Sequence, residues 1–126
     1  MESGSIAVMK VRDVLLVTVP PEPDDATINV LQDKVLASMI QFEPKGLILD
    51  ISTVEIVDSF FARTIAETAQ MVMLMGGRTI IAGMNASVAI TATELGLPLR
   101  DVLTALDVDH ALDMLEGLEN STQGRD

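Results

Sequence analysis

The aliphatic run Leu47–Ile51 limits the fold of this chain more than any other segment. It follows Pro44 and Gly46, which end a helical pattern, and its one charged residue, Asp50, lies near its end. A run of this kind is typical of a strand that is covered on both faces, as the strands of parallel sheets are. We therefore expect a central parallel strand here, within an α/β fold.

Before this strand the sequence predicts a hairpin and a helix. Ile6–Met9 and Val14–Val19 are apolar runs joined by a short charged connection, which indicates two paired strands. Prolines at positions 20, 21 and 23 stop the second strand, and Asp24, Asp25 or Thr27 can cap the helix that follows. The apolar residues of this helix recur at intervals of three and four, at Ile28, Leu31, Val35 and Met39.

After Asp58 a long helix is predicted, and Gly76 and Gly77 provide its end. Its apolar side consists of Phe61, Ile65, Thr68, Val72 and Met75. Thr79–Ala82 is the next predicted strand, so the central strand, this helix and Thr79–Ala82 make a βαβ unit.

The remainder predicts two helices and one strand. Asn85 caps a short helix closed by Gly96 and Pro98, with Val88, Ala92 and Leu95 inward. Val102–Ala105 is expected to be a short strand, and Asp107 opens a final helix that bears Ala111, Leu112, Leu115 and Leu118.

These elements predict a single α/β domain over residues 1–118 and an unstructured polar tail over 119–126. The expected core is a mixed, mostly parallel sheet of about four to five strands that includes the N-terminal hairpin, with about four helices flanking it.

Charge and composition exclude several classes of partner. The 19 acidic and 8 basic residues give a formal net charge of -11, and no basic cluster could follow a phosphate backbone, so nucleic acid is not expected to bind. The absence of cysteine excludes disulfides and thiolate metal sites. The acidic start does not resemble a signal peptide, and no apolar stretch reads as a membrane span, so we expect a cytoplasmic protein.

Catalysis is not indicated by the residue inventory. His110 is the only histidine, so a Ser/His/Asp triad would have to recruit it, and its place near the start of the last helix is ordinary for an exposed polar residue. The glycine-rich phosphate loops of nucleotide enzymes are missing, and Gly76, Gly77 and Gly83 stand where helix ends and turns are expected. We expect a protein that binds other proteins, with no cofactor and no metal.

Two groups of carboxylates have competing interpretations. Asp50 could be mistaken for a receiver-domain phosphoacceptor, but the lysines are Lys10, Lys34 and Lys45 only, and none lies late enough in the chain for that site. Asp24 and Asp25 are interpreted as helix caps, with metal binding as the alternative.

Three methionines, Met71, Met73 and Met75, close the long helix at alternate positions, so a single buried face cannot hold all of them. Some should be exposed. Filling of gaps in a core with few aromatic residues is the favoured interpretation, and a binding surface is the alternative.

Asp58 and Ser59 lie where the chain leaves a loop and enters the long helix. The first turn of a helix has unpaired backbone NH groups and favours an anion. Phosphorylation of Ser59 would add about two negative charges beside Asp58, Phe60 and Phe61 and would change binding without unfolding the domain. The alternative from local sequence is that Asp58 is simply an N-cap and Ser59 a neutral first-turn residue.

The strand Leu47–Ile51, followed by Val57, Asp58, Ser59 and a helix, resembles the STAS domain family of sulphate transporters and anti-sigma factor antagonists. The order of elements agrees over nearly the whole chain. Bulky Phe60 and Phe61, in place of a small residue and glycine, are similar to the stressosome scaffold branch, the RsbS type. The chain also starts almost at once with its first strand, whereas RsbR-type proteins carry an N-terminal sensory domain.

This resemblance implies a non-catalytic scaffold that is phosphorylated on Ser59 by an RsbT-type switch serine kinase. The unphosphorylated domain would hold that kinase until stress releases it, leading to sigma-factor activation, with Asp58, Phe60, Phe61 and Arg63 near the switch as partner-binding residues. It also implies RsbR-type co-antagonists, an RsbX-type phosphatase, a homo-oligomer in the form of a dimer, and membership of a large assembly.

Two other functions remain open at this point. One is a simple partner-switching antagonist that binds a single anti-sigma kinase without forming a shell. The other is a sensor that binds a nucleotide or lipid in a cleft at the ends of the parallel strands, as open α/β sheets often do.

Overall fold

The computed structural model describes residues 6–96 and 102–123, with the backbone alone from 118 onward. Its sheet has five strands in the order β1-β2-β3-β4-β5. The strands are β1 (Val8–Val11), β2 (Val14–Thr18), β3 (Gly46–Asp50), β4 (Arg78–Ala82) and β5 (Val102–Ala105). β1 pairs antiparallel with β2, and the remaining neighbours pair in parallel, so the predicted mixed, mostly parallel sheet with an N-terminal hairpin is confirmed.

Four helices accompany the sheet within the described residues: α1 (Asp25–Phe42), α2 (Ser59–Leu74), α3 (Ala86–Glu94) and α4 (Val108–Gln123). Asp24, Asp58 and Asn85 cap the first three, since each side-chain oxygen accepts a hydrogen bond from the backbone NH three residues later at 2.8 Å. Asp107 acts in the same way at α4, where its carboxylate accepts the NH of His110. Of the three predicted starts for α1, Asp24 is the one used.

The cap at α1 also changes the pKa of the Asp24 carboxyl. Hydrogen bonds from Thr27, first from its side chain and then from its backbone NH, hold the pKa of the Asp24 carboxyl below its usual value. This carboxylate accepts hydrogen bonds from the first turn of the helix, which supports its interpretation as a helix cap. Among the described residues, no group of three or more metal-ligating side chains is present around it or elsewhere.

Strand β3 is buried on both faces, as the aliphatic run predicted. Leu47, Ile48 and Leu49 are all 0% exposed. Leu47 and Leu49 belong to the core formed with α1, α2 and the start of α3, whereas Ile48 belongs to a second core formed with Ala111 and Leu115 of α4. Burial of three large aliphatic side chains contributes about 1.5 to 3 kcal/mol each relative to exposure, which fixes β3 firmly between the two helix layers.

The hairpin begins later than predicted. β1 starts at Val8 instead of Ile6, and the two-residue turn Arg12–Asp13 places Val11 opposite Val14 and so sets the register of the pair. Ile6 precedes the strand but is still buried in the larger core.

Two helix ends differ from the predicted pattern. Met75 and Leu95 were expected to face the core, but they are 45% and 41% exposed. Both are C-cap residues, where the chain leaves the helix and its periodicity no longer applies. Pro98 and the side chain of Leu118, predicted as a helix stop and a core residue, lie outside what is described.

The final helix is longer than predicted. It continues to Gln123, whereas an unstructured tail was expected from residue 119, and residues 124–126 are outside the described part of the chain. Once a helix has been nucleated, each further residue adds a backbone hydrogen bond, so a polar segment can continue it.

The methionines at the end of α2 are exposed. Met71, Met73 and Met75 are 37%, 40% and 45% exposed. The expectation that some of them are exposed is confirmed, and the favoured interpretation that they fill gaps in the core is wrong. The inward positions of this part of α2 are already occupied by Ala69 and Val72, which are buried.

A close approach of two loops occurs at Gly83, directly after β4. Its φ is +79°, and a Cβ atom there would lie 2.8 Å from the Ser52 Cβ and 3.1 Å from the Ser52 Cα. Both the backbone conformation and the space therefore require glycine, and the contact holds the segment after β3 against the end of β4.

We predict that Gly83→Ala lowers the free energy of unfolding by about 1 to 3 kcal/mol, because strain at positive φ and the clash with Ser52 act together. Gly117→Ala is the matched control, since a Cβ atom at this position in α4 meets nothing within 4 Å. Alanine there should instead stabilise by about 0.5 to 1 kcal/mol. Urea unfolding followed by circular dichroism measures both, and equal effects would contradict the role given to Gly83.

Candidate functional site

The segment between β3 and α2, residues 51–58, is fixed to the domain by apolar side chains. Ile51, Val54 and Val57 are buried in the larger core. The Val54 NH donates to the Ile51 carbonyl at 3.0 Å, and the Val54 carbonyl accepts the Asn85 side-chain amide at 3.1 Å. The segment is therefore held in place from within the domain and from the start of α3.

Two further hydrogen bonds connect this segment to the proline-rich loop after β2. The Thr53 hydroxyl donates to the Val19 carbonyl at 3.3 Å, and the Glu55 NH donates to the Pro21 carbonyl at 3.2 Å. The loop after β2 and the loop after β3 thus lie side by side at the carboxyl edge of the sheet. These contacts determine where α2 begins.

Asp58 is the N-cap of α2 and Ser59 is its first residue. Asp58 has an extended backbone, and its carboxylate accepts the Phe61 NH at 2.8 Å while its carbonyl accepts the Ala62 NH at 3.0 Å. The NH groups of Ser59 and Phe60 precede these two bonds, at the position where helices leave donors unpaired. The positive end of α2 is therefore directed at the surface that bears Ser59.

Ser59 itself is exposed. Within the described residues its hydroxyl takes part in no hydrogen bond, so it is available to solvent. Phe60 is half-buried against the core, and Arg63, one helical turn after Ser59, is exposed. The two side chains Ser59 and Arg63 share one face of the helix, because residues four apart are neighbours on a helix surface.

Phe61 is buried, as its place on the apolar side of the helix predicted, although the family resemblance suggested it as a partner-binding residue. It is 7% exposed and packs into the larger core, where it lines a small apolar cavity of about 20 Å³ together with Ile65 and Val88. Helical periodicity turns Phe61 inward with Ile65 and leaves Phe60 at the edge. The surface beside Ser59 therefore consists of Asp58, Phe60 and Arg63, without the Phe61 ring.

One surface residue was not singled out from the sequence. Ile56 is 65% exposed and lies three residues before Ser59. The sequence could have indicated its exposure, because Ile56 and Val57 are adjacent apolar residues in a short connection and neighbouring side chains seldom face the same core. The spacing of buried Val54 and Val57 leaves Ile56 pointing outward.

The charges near Ser59 are predominantly negative. Glu22 and Asp24 lie in the loop after β2, and Glu55 and Asp58 in the loop after β3; all four are exposed. Since the backbone bond between Glu55 and Pro21 brings the two loops together, these carboxylates share one edge of the domain.

Asp50, which the sequence also singled out, has a structural partner. Asp50 accepts the Ser52 NH at 3.0 Å and so stabilises the turn after β3. With Asp107 and Asp109 it also borders a cleft of about 280 Å³. Three carboxylates in one cleft disfavour a nucleotide phosphate, because like charges repel.

His110 is exposed, and its Nδ1 accepts the Leu106 NH at 3.2 Å. This contact ties the imidazole to the start of α4, as an ordinary polar residue of a helix start. In the parts of the chain that the structure describes, no helix is both long and apolar enough to cross a lipid bilayer.

Comparison with known proteins identifies relatives of this domain. The family model described as STAS domain matches residues 5–111. A variant of RsbS from Moorella thermoacetica is 33% identical, with 91% of this chain and 97% of that chain covered and a TM-score of 0.83. A chain from a structure of the stressosome, described as a signal integration and transduction hub, is 34% identical, with 90% and 98% covered and a TM-score of 0.80.

Among curated proteins, the RsbT co-antagonist protein RsbRD of Bacillus subtilis is 33% identical over 91 residues, which are 72% of this chain and 33% of that protein. The co-antagonist RsbRA of the same organism is 27% identical over 74 residues, which are 59% of this chain and 27% of that protein. The chain thus spans about a third or less of the length of these curated relatives.

We predict that Asp58→Ala destabilises the domain by about 1 kcal/mol, because the Phe61 NH loses its acceptor. Asp58→Asn is the matched control: it removes the charge but keeps a side-chain oxygen that can cap the helix, so its stability should stay within a few tenths of a kcal/mol of the unmodified protein. Urea unfolding measures both. Equal losses for the two variants would show that the charge of Asp58, and not its capping bond, stabilises this helix start.

Proposed function

Because the chain belongs to the STAS domain family, we propose that it is a phosphorylation-controlled antagonist that holds a switch serine kinase within a stressosome-type complex, and that Ser59 is the phosphorylated residue. The protein acts by binding and not by catalysis. Similarity to RsbS and to a stressosome chain, each over at least 90% of this chain, supports this proposal.

One observation carries the proposal: the Ser59 hydroxyl is exposed at the start of a helix whose preceding loop is fixed to the core. A kinase can reach such a hydroxyl without unfolding the domain. Since Asp58 already supplies the capping bond to Phe61, Ser59 has no structural role that a phosphate would disturb.

A phosphate on Ser59 acts through charge. It adds about two negative charges and would gain about 0.3 to 1 kcal/mol from the helix dipole, so the modified helix start is not destabilised. The phosphate instead raises the free-energy cost of docking. It lies near exposed Ile56 and half-buried Phe60 in the chain, and it has to lose water when a partner covers these side chains.

The similarity to RsbS and to RsbR proteins supports the following choice of partners. We propose an RsbT-type serine kinase as the protein held by the unmodified domain, and stress as the condition that releases it and activates a sigma factor. RsbR-type co-antagonists are proposed as the other components of the assembly, which agrees with the similarity to RsbRD and RsbRA. An RsbX-type phosphatase would reset Ser59, and the chain would form homo-oligomers, with a dimer as the simplest unit.

The alternative functions receive less support. A simple partner-switching antagonist shares this fold, but SpoIIAA in its unphosphorylated form is only 18% identical and supports the fold alone. A nucleotide sensor is disfavoured by the three carboxylates around the cleft at the carboxyl edge.

We predict that an RsbT-type kinase phosphorylates Ser59 and that phosphopeptide mass spectrometry locates the phosphate there. Ser59→Ala should retain the kinase with unchanged affinity, whereas Ser59→Asp should weaken retention by roughly fivefold, about 1 kcal/mol, because it supplies only part of the phosphate charge. Retention is measured by biolayer interferometry with immobilised kinase.

Ser87→Asp is the matched control, since Ser87 is also an exposed serine in the first turn of a helix that has an N-cap, α3. It should bind the kinase like the unmodified protein. Phosphate found only at other serines or threonines, or equal weakening by the aspartates at positions 59 and 87, would contradict the proposal.

A further inference from the structure

Arg63 is the single basic residue in a large part of the sequence that surrounds Ser59. Residues 14–33 and 46–77 include the loops after β2 and β3 and all of α2, and Arg63 is their only lysine or arginine. The same two stretches contain eight carboxylates, at Glu22, Asp24, Asp25, Asp33, Asp50, Glu55, Asp58 and Glu67. Within these two stretches, all of which the structure describes, a new anion at position 59 therefore has one cationic side chain as a possible partner.

The position of Arg63 on α2 suits it to reach Ser59. The two residues are four apart on the helix, and both are exposed. The Cα–Cβ bonds of a helix tilt toward its N-terminus, so a long side chain covers the turn before its own Cα. For Arg63 this turn is the one that begins at Ser59.

Arg63 has no ion pair among the described residues, where the pairs found are Arg12–Glu116 and Lys45–Asp13. Its competing neighbour on the helix is Glu67, four residues later. Helical ion pairs are stronger when the acid precedes the base than in the reverse order. A dianion at position 59 precedes Arg63 and carries more charge than Glu67, so it is the favoured partner.

We propose that the guanidinium of Arg63 pairs with the phosphate on Ser59 within the same chain. This inference rests on the proposed function, because it assumes that Ser59 is phosphorylated. Arg63 is then a positioning residue: its fork of NH donors matches two phosphate oxygens and holds the phosphate along the outer face of α2.

The pairing gives phosphorylation a double effect on the docking surface. It adds a dianion at Ser59, and it also withdraws Arg63, the one cationic side chain that residues 14–33 and 46–77 offer to a partner. An aspartate at position 59 is a weaker imitation, since its carboxylate is shorter and carries one charge.

The test is a phosphorus NMR titration of the full chain with phosphoserine installed at position 59 by genetic-code expansion. No kinase is needed, so the result does not depend on whether a kinase recognises the site. With Arg63 present, the second pKa of the phosphate should be lower than in Arg63→Gln by about 0.3 to 0.7, because the guanidinium favours the dianion. Arg63→Lys should fall between the two, since it keeps the charge but not the fork.

Arg78→Gln is the matched control. Arg78 is an exposed arginine at the start of β4, at the amino edge of the parallel strands, opposite to the edge where Ser59 lies. Its loss should leave the phosphate pKa unchanged. All variants retain the eight carboxylates, so the comparison isolates the arginine.

Equal phosphate pKa values in the unmodified protein and in Arg63→Gln, or equal shifts for Arg63→Gln and Arg78→Gln, would overturn the pairing. Either result leaves the kinase experiment on Ser59 unaffected. Conversely, failure of a kinase to modify Ser59 would defeat the proposed function, while the titration would still report whether Arg63 and the phosphate interact.

Discussion

Burial of β3 on both faces is the constraint on which the rest of the structure depends. Leu47 and Leu49 fill the core under α1 and α2, and Ile48 fills the core under α4. A strand that is buried on both faces has a fixed register, because a slip of one residue would move the side chains of each face to the opposite core. The end of β3 is therefore a fixed point, and the segment that leads to Ser59 starts from it.

Between that fixed point and α2, the residues that stabilise the segment differ from the residue proposed for phosphorylation. Val54 and Val57 anchor the segment in the core, and Asp58 caps the helix. Ser59 is left exposed, with no part in either task. This separation is what allows a charge to be added at the surface without a penalty to folding, and it makes the site suitable for a switch that acts on binding.

Much of this arrangement could be predicted from the sequence, because it depends on local chemistry. The aliphatic run defined β3, and Asp58, Asn85 and Asp107 defined three helix starts, whereas the start of α1 was left open among Asp24, Asp25 and Thr27. The exact ends of helices and strands, and the burial of the residues there, were harder to predict. Met75 and Leu95 continue an apolar period but lie at C-caps, beyond the core, and β1 begins two residues later than the apolar run does. At the site, Asp58 and Ser59 followed from capping chemistry and the burial of Phe61 from helical periodicity, whereas the exposure of Ile56 depends on how the loop before α2 is anchored in the core.

The central claim is that phosphorylation of Ser59 changes the surface of a domain that stays folded, and amide hydrogen exchange tests it most directly. The unmodified chain and the chain with phosphoserine at position 59 are compared under native conditions. The account predicts that amides in β3 and in α2 from Phe61 onward keep the same protection in both forms. Loss of protection through α2 on phosphorylation would contradict it, since the switch would then act by opening the helix and not by altering the surface.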